Sequence, residues 1–188
     1  MKKILTAAYL AAALLLLGAC ARQNNHISLD ELNCVEVGLE EETSFCWAYT
    51  YVEYGNYYEN EVYLLKGGRR QEVAGMGDGS EINTMLVSPS KMYAALEENG
   101  GEGHPYLAII TLAELRQGRK PRYMAGYDPY PGSLWEMRWQ GDKLLFNTDK
   151  ELSVDNVASG EIRTYSITYS LDAATGELAQ VGEPVLLE

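Results

Sequence analysis

Three thiols, two imidazoles and 27 carboxylates are the groups in this 188-residue sequence that could do chemistry. A thiolate can attack a carbonyl, bind a metal, oxidise to a disulfide or carry a covalent lipid. The thiols stand at Cys20, Cys34 and Cys46, and the imidazoles at His26 and His104. Eleven residues separate Cys34 from Cys46, which suits no common zinc spacing, and zinc would need two more ligands. A serine nucleophile would need Gly-x-Ser-x-Gly on a strand–turn–helix. Gly77-Asp78-Gly79-Ser80 and Gly132-Ser133 have neither the motif nor that context. His104 falls in a glycine-rich stretch, 99–105, and reads as a solvated loop residue. Asp149, Glu151 and Asp155 could offer oxygens to Ca²⁺, but their spacing is not that of an EF-hand. Gly75–Gly79 lacks the Lys-Ser/Thr of a phosphate loop and carries an acid where an anion would sit. The expectation is a protein without catalytic residues, metal or cofactor.

The first cysteine has a different context. Residues 1–20 read MKKILTAAYLAAALLLLGAC. Lys2 and Lys3 give a positive start, Ile4–Leu17 an apolar run, and Gly18 and Ala19 the small side chains of a cleavage site. The run is 14 residues long, short of the roughly 20 that span a bilayer. Leu17-Gly18-Ala19-Cys20 resembles the lipobox of bacterial lipoproteins. The resemblance implies cleavage before Cys20, a diacylglycerol on its thiol and an acylated amine. Ala21 stands at the following position, where an aspartate would imply inner-membrane retention, so the resemblance points to the periplasmic face of the outer membrane. Several acyl chains anchor a protein far better than one. On this reading 1–19 is a signal peptide, 20–28 (CARQNNHIS) a lipidated tether, and 29–188 a single domain.

With Cys20 lipidated, Cys34 and Cys46 remain in an oxidising compartment, the number for one disulfide. The alternative is two separately buried thiols. The disulfide also fits the local pattern. Leu32–Val37 and Phe45–Thr50 read as antiparallel strands, with position 34 opposite 46, around a loop carrying Gly38 and the acidic tip Glu40–Glu42.

The elements that must position these groups read as β. From Phe45 to Tyr54, bulky aromatics alternate with smaller residues, as in a strand packed on both sides. Gly67-Gly68 separates two β-like runs, Glu61–Lys66 and Arg69–Ala74, a hairpin signal. Trp135–Trp139, the turn Gln140-Gly141-Asp142 and Lys143–Thr148 make another hairpin. Arg163–Leu171 turns back through Asp172–Gly176. Leu107–Leu115 reads as a strand running into a short turn. Lining these up gives a repeat of strand, turn, strand, variable loop, strand, tight turn, strand. Second strands begin near Cys46, Met92 and Lys143, and third strands near Glu61, Tyr106 and Arg163.

The fragment Val87-Ser88-Pro89-Ser90-Lys91 and the strand after it, Met92–Leu96, resemble the SPDGK segment of TolB-type propeller blades. Ser90 replaces the Asp-Gly pair, which shortens the turn by one residue. Trp139–Phe146 is similar in pattern without the Ser-Pro. The resemblance implies four-stranded blades. About three units fit between 29 and 188, whereas closed propellers use four to eight. The expected fold is all-β: antiparallel four-stranded meander repeats, open and propeller-like, or a β-sandwich.

Two aromatic groups remain as candidate binding residues. One is Trp47–Tyr63, in which Tyr57 and Tyr58 fall in the predicted loop Gly55–Asn60. The other is Tyr123–Trp135, holding Tyr123, Tyr127, Tyr130 and Trp135 among prolines and glycines. Aromatics on rigid loops bury area with little loss of rotamer freedom, which suits a protein or glycan partner. The alternative is that they cover sheet edges and fill the interior. The net charge of −12 disfavours nucleic acid, whose phosphates call for clustered Lys and Arg. It serves either solubility or the steering of a basic partner. The expected function is therefore a membrane-anchored, non-enzymatic binding or scaffold lipoprotein. An immunity protein against a periplasm-acting toxin and an envelope hydrolase are the alternatives.

Overall fold

The alternation at Phe45–Ala48 becomes a strand buried on both faces: Phe45 and Trp47 point one way, Cys46 and Ala48 the other, and all four are buried. A computed structural model describes residues 33–39, 42–52, 57–73, 76, 80–100, 104–153 and 162–187. All lie in one compact unit, Glu31–Glu188. The signal segment 1–19, Cys20, the tether 20–28, the acids Glu40 and Glu41 and Asp155 lie outside the described residues.

The described residues form three consecutive antiparallel meanders. Sheet A contains β1 (Asn33–Glu36), β2 (Thr43–Val52), β3 (Tyr57–Lys66) and β4 (Arg69–Glu72). Sheet B contains β5 (Ser80–Val87), β6 (Tyr93–Gly100), β7 (Pro105–Thr111) and β8 (Tyr123–Tyr127). A one-turn helix, α1 (Leu112–Leu115), follows β7, so the Leu107–Leu115 segment is a strand running into a turn. Sheet C contains β9 (Leu134–Gln140), β10 (Lys143–Ser153), β11 (Ile162–Asp172) and β12 (Leu178–Gln180). A short β13 (Val185–Leu186) also pairs with β11. The all-β, four-stranded repeat is thus the architecture.

The repeat period is more regular than the sequence pattern implied. Second strands begin at Thr43, Tyr93 and Lys143, 50 residues apart. One backbone bond recurs in all three sheets. The residue after the third strand donates its N–H to the carbonyl of the residue before the second. The pairs are Gly67 to Glu42 (3.4 Å), Leu112 to Met92 (2.9 Å) and Ala173 to Asp142 (3.0 Å). The Gly67-Gly68 hairpin forms with φ of +53° and +75°, the backbone that a two-residue turn of matching twist requires.

Sheet B is the middle layer. On one face Ala94, Leu96, Ala108 and Ile110 meet Phe45, Trp47, Val62 and Leu64 of sheet A. On the other Ala95, Leu107 and Ile109 meet Leu144, Phe146 and Leu171 of sheet C. Each fully buried aliphatic or phenyl side chain contributes about 1.5–3 kcal/mol. The face of sheet C turned away from B is polar along β11, with half-buried Leu145 and Trp135 beside it on β10 and β9. Thr164, Ser166, Thr168 and Ser170 alternate along it. Thr168 donates to Asn147 (2.8 Å), whose amide donates to Glu136 (2.9 Å). Such a face ends a stack of repeats in water.

The turns at one end are tied together. Lys91 donates to Glu36 (3.0 Å) and to the carbonyl of Gly38 (2.9 Å). Ser90 donates to Asp142 (2.5 Å), and the Arg116 guanidinium to the carbonyls of Val37 and Lys91. Ser88–Lys91, between β5 and β6, therefore joins all three sheets.

Candidate functional site

Hairpin register decides which polar groups meet. Pairing of β6 with β7 sets Glu98 opposite Tyr106, and β8 runs beside β7 with Tyr123 opposite Ile110. Glu98, Tyr106 and Tyr123 then share one face of sheet B. Gly126 makes the arrangement possible, because a Cβ there would lie 2.0 Å from the Tyr106 hydroxyl. Its hydrogen lets the Tyr106 ring lie across β8.

Tyr123 is 48% exposed, and its hydroxyl donates to Glu98 Oε1 at 3.4 Å. Burial, then the Glu98 carboxylate and Tyr106, push the phenol up to about 12. It keeps its proton at physiological pH and acts as a hydrogen-bond donor, not as a base. Two exposed phenol rings beside a carboxylate form a platform that can stack on an apolar face and hydrogen-bond at its rim. Met124 next to them is also exposed.

The other candidate residues are distributed as follows. Tyr127 is half-buried, with ring centroids 5.0 Å from Phe146 and 5.4 Å from Tyr169. Its pKa is raised, chiefly by burial, and its ring belongs to the B–C interior. Tyr130 is 62% exposed and meets the His104 ring edge-on, centroids 4.4 Å apart. The Asp128 carboxylate accepts the Tyr130 backbone N–H (2.9 Å), and Asp149 accepts that of Ser133 (2.6 Å). Gly132 lies against the Asp149 carbonyl, where a Cβ would come within 2.4 Å. These contacts fix the loop that presents Tyr130. Trp135 is half-buried on β9, opposite Asn147. Tyr57 and Tyr58 open β3, opposite Val52 and Tyr51. They extend a strand instead of sitting in a loop, because the β2–β3 pairing runs further than turn composition implied.

Cys34 and Cys46 form a disulfide between directly paired positions of β1 and β2, Cα atoms 4.1 Å apart. Cys34 is exposed and Cys46 fully buried. Beside it, on sheet A, Glu36, Glu42, Ser44, Leu65 and Gly68 line an open cleft of about 340 Å³. Among the described residues, no three His, Cys, Asp or Glu side chains converge to hold a metal. Asp149 and Glu151 are part of β10.

Sequence reasoning missed Glu98 and Tyr106. Their juxtaposition depends on the β6–β7 register, which neither strand's own sequence pattern sets. The fold and site define an all-β protein of three stacked meanders with a tyrosine–carboxylate platform on its middle sheet. The chain matches no protein-family model, no curated protein and no solved structure.

Proposed function

We propose that this chain is a lipid-anchored, non-enzymatic binding module on the periplasmic face of the outer membrane. It holds a protein or glycan partner in the envelope. The observation that carries the reading is the run Leu17-Gly18-Ala19-Cys20 behind a charged, apolar leader. The disulfide of the other two cysteines supports it, since such bonds persist in oxidising compartments. So does the exposed platform of Tyr106, Tyr123 and Glu98, in which the phenol of Tyr123 is held as a donor.

Two measurements test it. Cells expressing the full chain are labelled with a fatty-acid analogue. Label on the wild type and none on Cys20→Ser is the expected result. An unlabelled wild type with an intact leader overturns the anchor. Affinity capture from an envelope extract, comparing the wild type with Tyr123→Ala, tests the platform. Specific recovery by the wild type alone is expected. Equal recovery by both proteins removes Tyr123 from the interface.

A further inference from the structure

The last strands of sheets A and C are protected differently. The edge of sheet A, β4, carries Arg69, Arg70 and Glu72, charges of the kind that prevent strand addition. One edge of sheet C is β9, and the other is the consecutive pair β12 and β13. Both pair with β11 and, among the described residues, with no strand on their other side. Leu178, Val181, Val185, Leu186 and Leu187 lie on it, each 40% to 64% exposed. Large exposed aliphatics on an unprotected edge are rare in proteins that avoid self-pairing, and they mark interaction sites.

Charge selects the occupant. Along the described edge, Thr164 to Leu187, the sequence has three acids and no Lys or Arg. Asp172 is already met by Lys143, 3.8 Å away, so Glu177 and Glu183 are the carboxylates the edge offers. A second copy added antiparallel to this edge would set acid against acid. A membrane surface would meet the same carboxylates.

We propose that the β12–β13 edge of sheet C binds an extended, aliphatic partner segment flanked by basic residues, which adds to the sheet as a further strand. Backbone bonds to β12 and β13 supply the binding, the aliphatics cover alternate side chains, and the carboxylates fix the basic ends. This surface is separate from the tyrosine platform of sheet B, and the inference does not depend on the lipid anchor.

The probe is a fluorescent peptide of alternating valine and threonine with lysine at both ends, titrated into the full chain. Its glutamate-ended counterpart is the control. Saturable binding of the lysine peptide, weakened by salt, with none of the glutamate peptide, is expected. Leu178→Lys with Leu186→Lys should weaken binding by about tenfold or more while the far-ultraviolet dichroism is unchanged. Should that variant misfold, amide exchange on the wild type decides. Peptide-dependent protection at Leu178–Gln180 and Val185–Leu186 supports the inference, and protection elsewhere or none overturns it. Equal binding of both peptides, a doubled sedimentation mass without peptide, or displacement of the peptide by phosphatidylcholine vesicles would each overturn it.

Discussion

The indole N–H of Trp47 reaches out of sheet A to the backbone carbonyl of Ile82 in β5, 2.7 Å away and buried. Trp139 of sheet C makes the same bond to the carbonyl of Leu86, 2.9 Å away, from the opposite side. One edge strand of the middle sheet is thus held by a tryptophan from each neighbour. Trp47→Phe keeps most of the buried ring but orphans the Ile82 carbonyl. A loss of about 1–3 kcal/mol is expected in urea unfolding. Trp139→Phe should lose less, because its bond is only part-buried.

The cross-strand disulfide closes a short loop, with 12 residues of separation. Replacing Cys34 and Cys46 together by alanine should cost about 3 kcal/mol by the loop-entropy estimate. Unfolding with and without dithiothreitol checks this: the wild type should shift and the variant should not.

Alkaline titration followed by tyrosinate absorbance should resolve a phenol near 12. Glu98→Gln should bring that phenol down, because it removes the second-largest cause, the neighbouring carboxylate, and leaves the burial. An unchanged titration would separate Glu98 from Tyr123 in solution.

Asp172 holds the β11–β12 turn, accepting the backbone N–H groups of Ala174 and Thr175 at 3.0 Å each. Those bonds, that of Thr175 first, lower its pKa below the ordinary value. The folded value is depressed, so the stabilisation is present above the unfolded pKa and is lost as pH falls through the folded one. Asp172→Asn should therefore flatten the acid side of a stability-against-pH curve while leaving its alkaline side in shape.

Glu97 behaves oppositely. Half-buried in β6, it has a pKa raised by burial, against a hydrogen bond with Asn83 that lowers it. Its ionisation opposes folding, so the penalty appears as pH rises from the unfolded value through the folded one. Glu97→Gln should raise the thermal midpoint at neutral pH and change it little at pH 3.

Much of this was legible from short-range pattern. Alternation at Phe45–Ala48, the Gly67-Gly68 turn and the β-branched start of Leu107–Leu115 each declared their structure, because strand period and turn chemistry act over a few residues. The opposition of Cys34 and Cys46 followed from one hairpin. Longer-range contacts were not legible. Tyr127, in a proline- and glycine-punctuated stretch, looks like a loop aromatic, yet its ring fills the space between Phe146 and Tyr169. Those neighbours are brought by sheet packing that no local window encodes. That the aliphatics of β12 and β13 lie on an outer edge is set by the sheet order, which no local pattern gives.

The hydroxyl- and amide-bearing face that closes sheet C also sets how this array could have grown. A further meander laid on this face would meet the hydroxyls of Thr164, Ser166, Thr168 and Ser170 along β11, which give it less to settle on than either surface of sheet B. A copy of the middle unit spliced between its neighbours would find both of its surfaces matched by ones that already accept such a sheet.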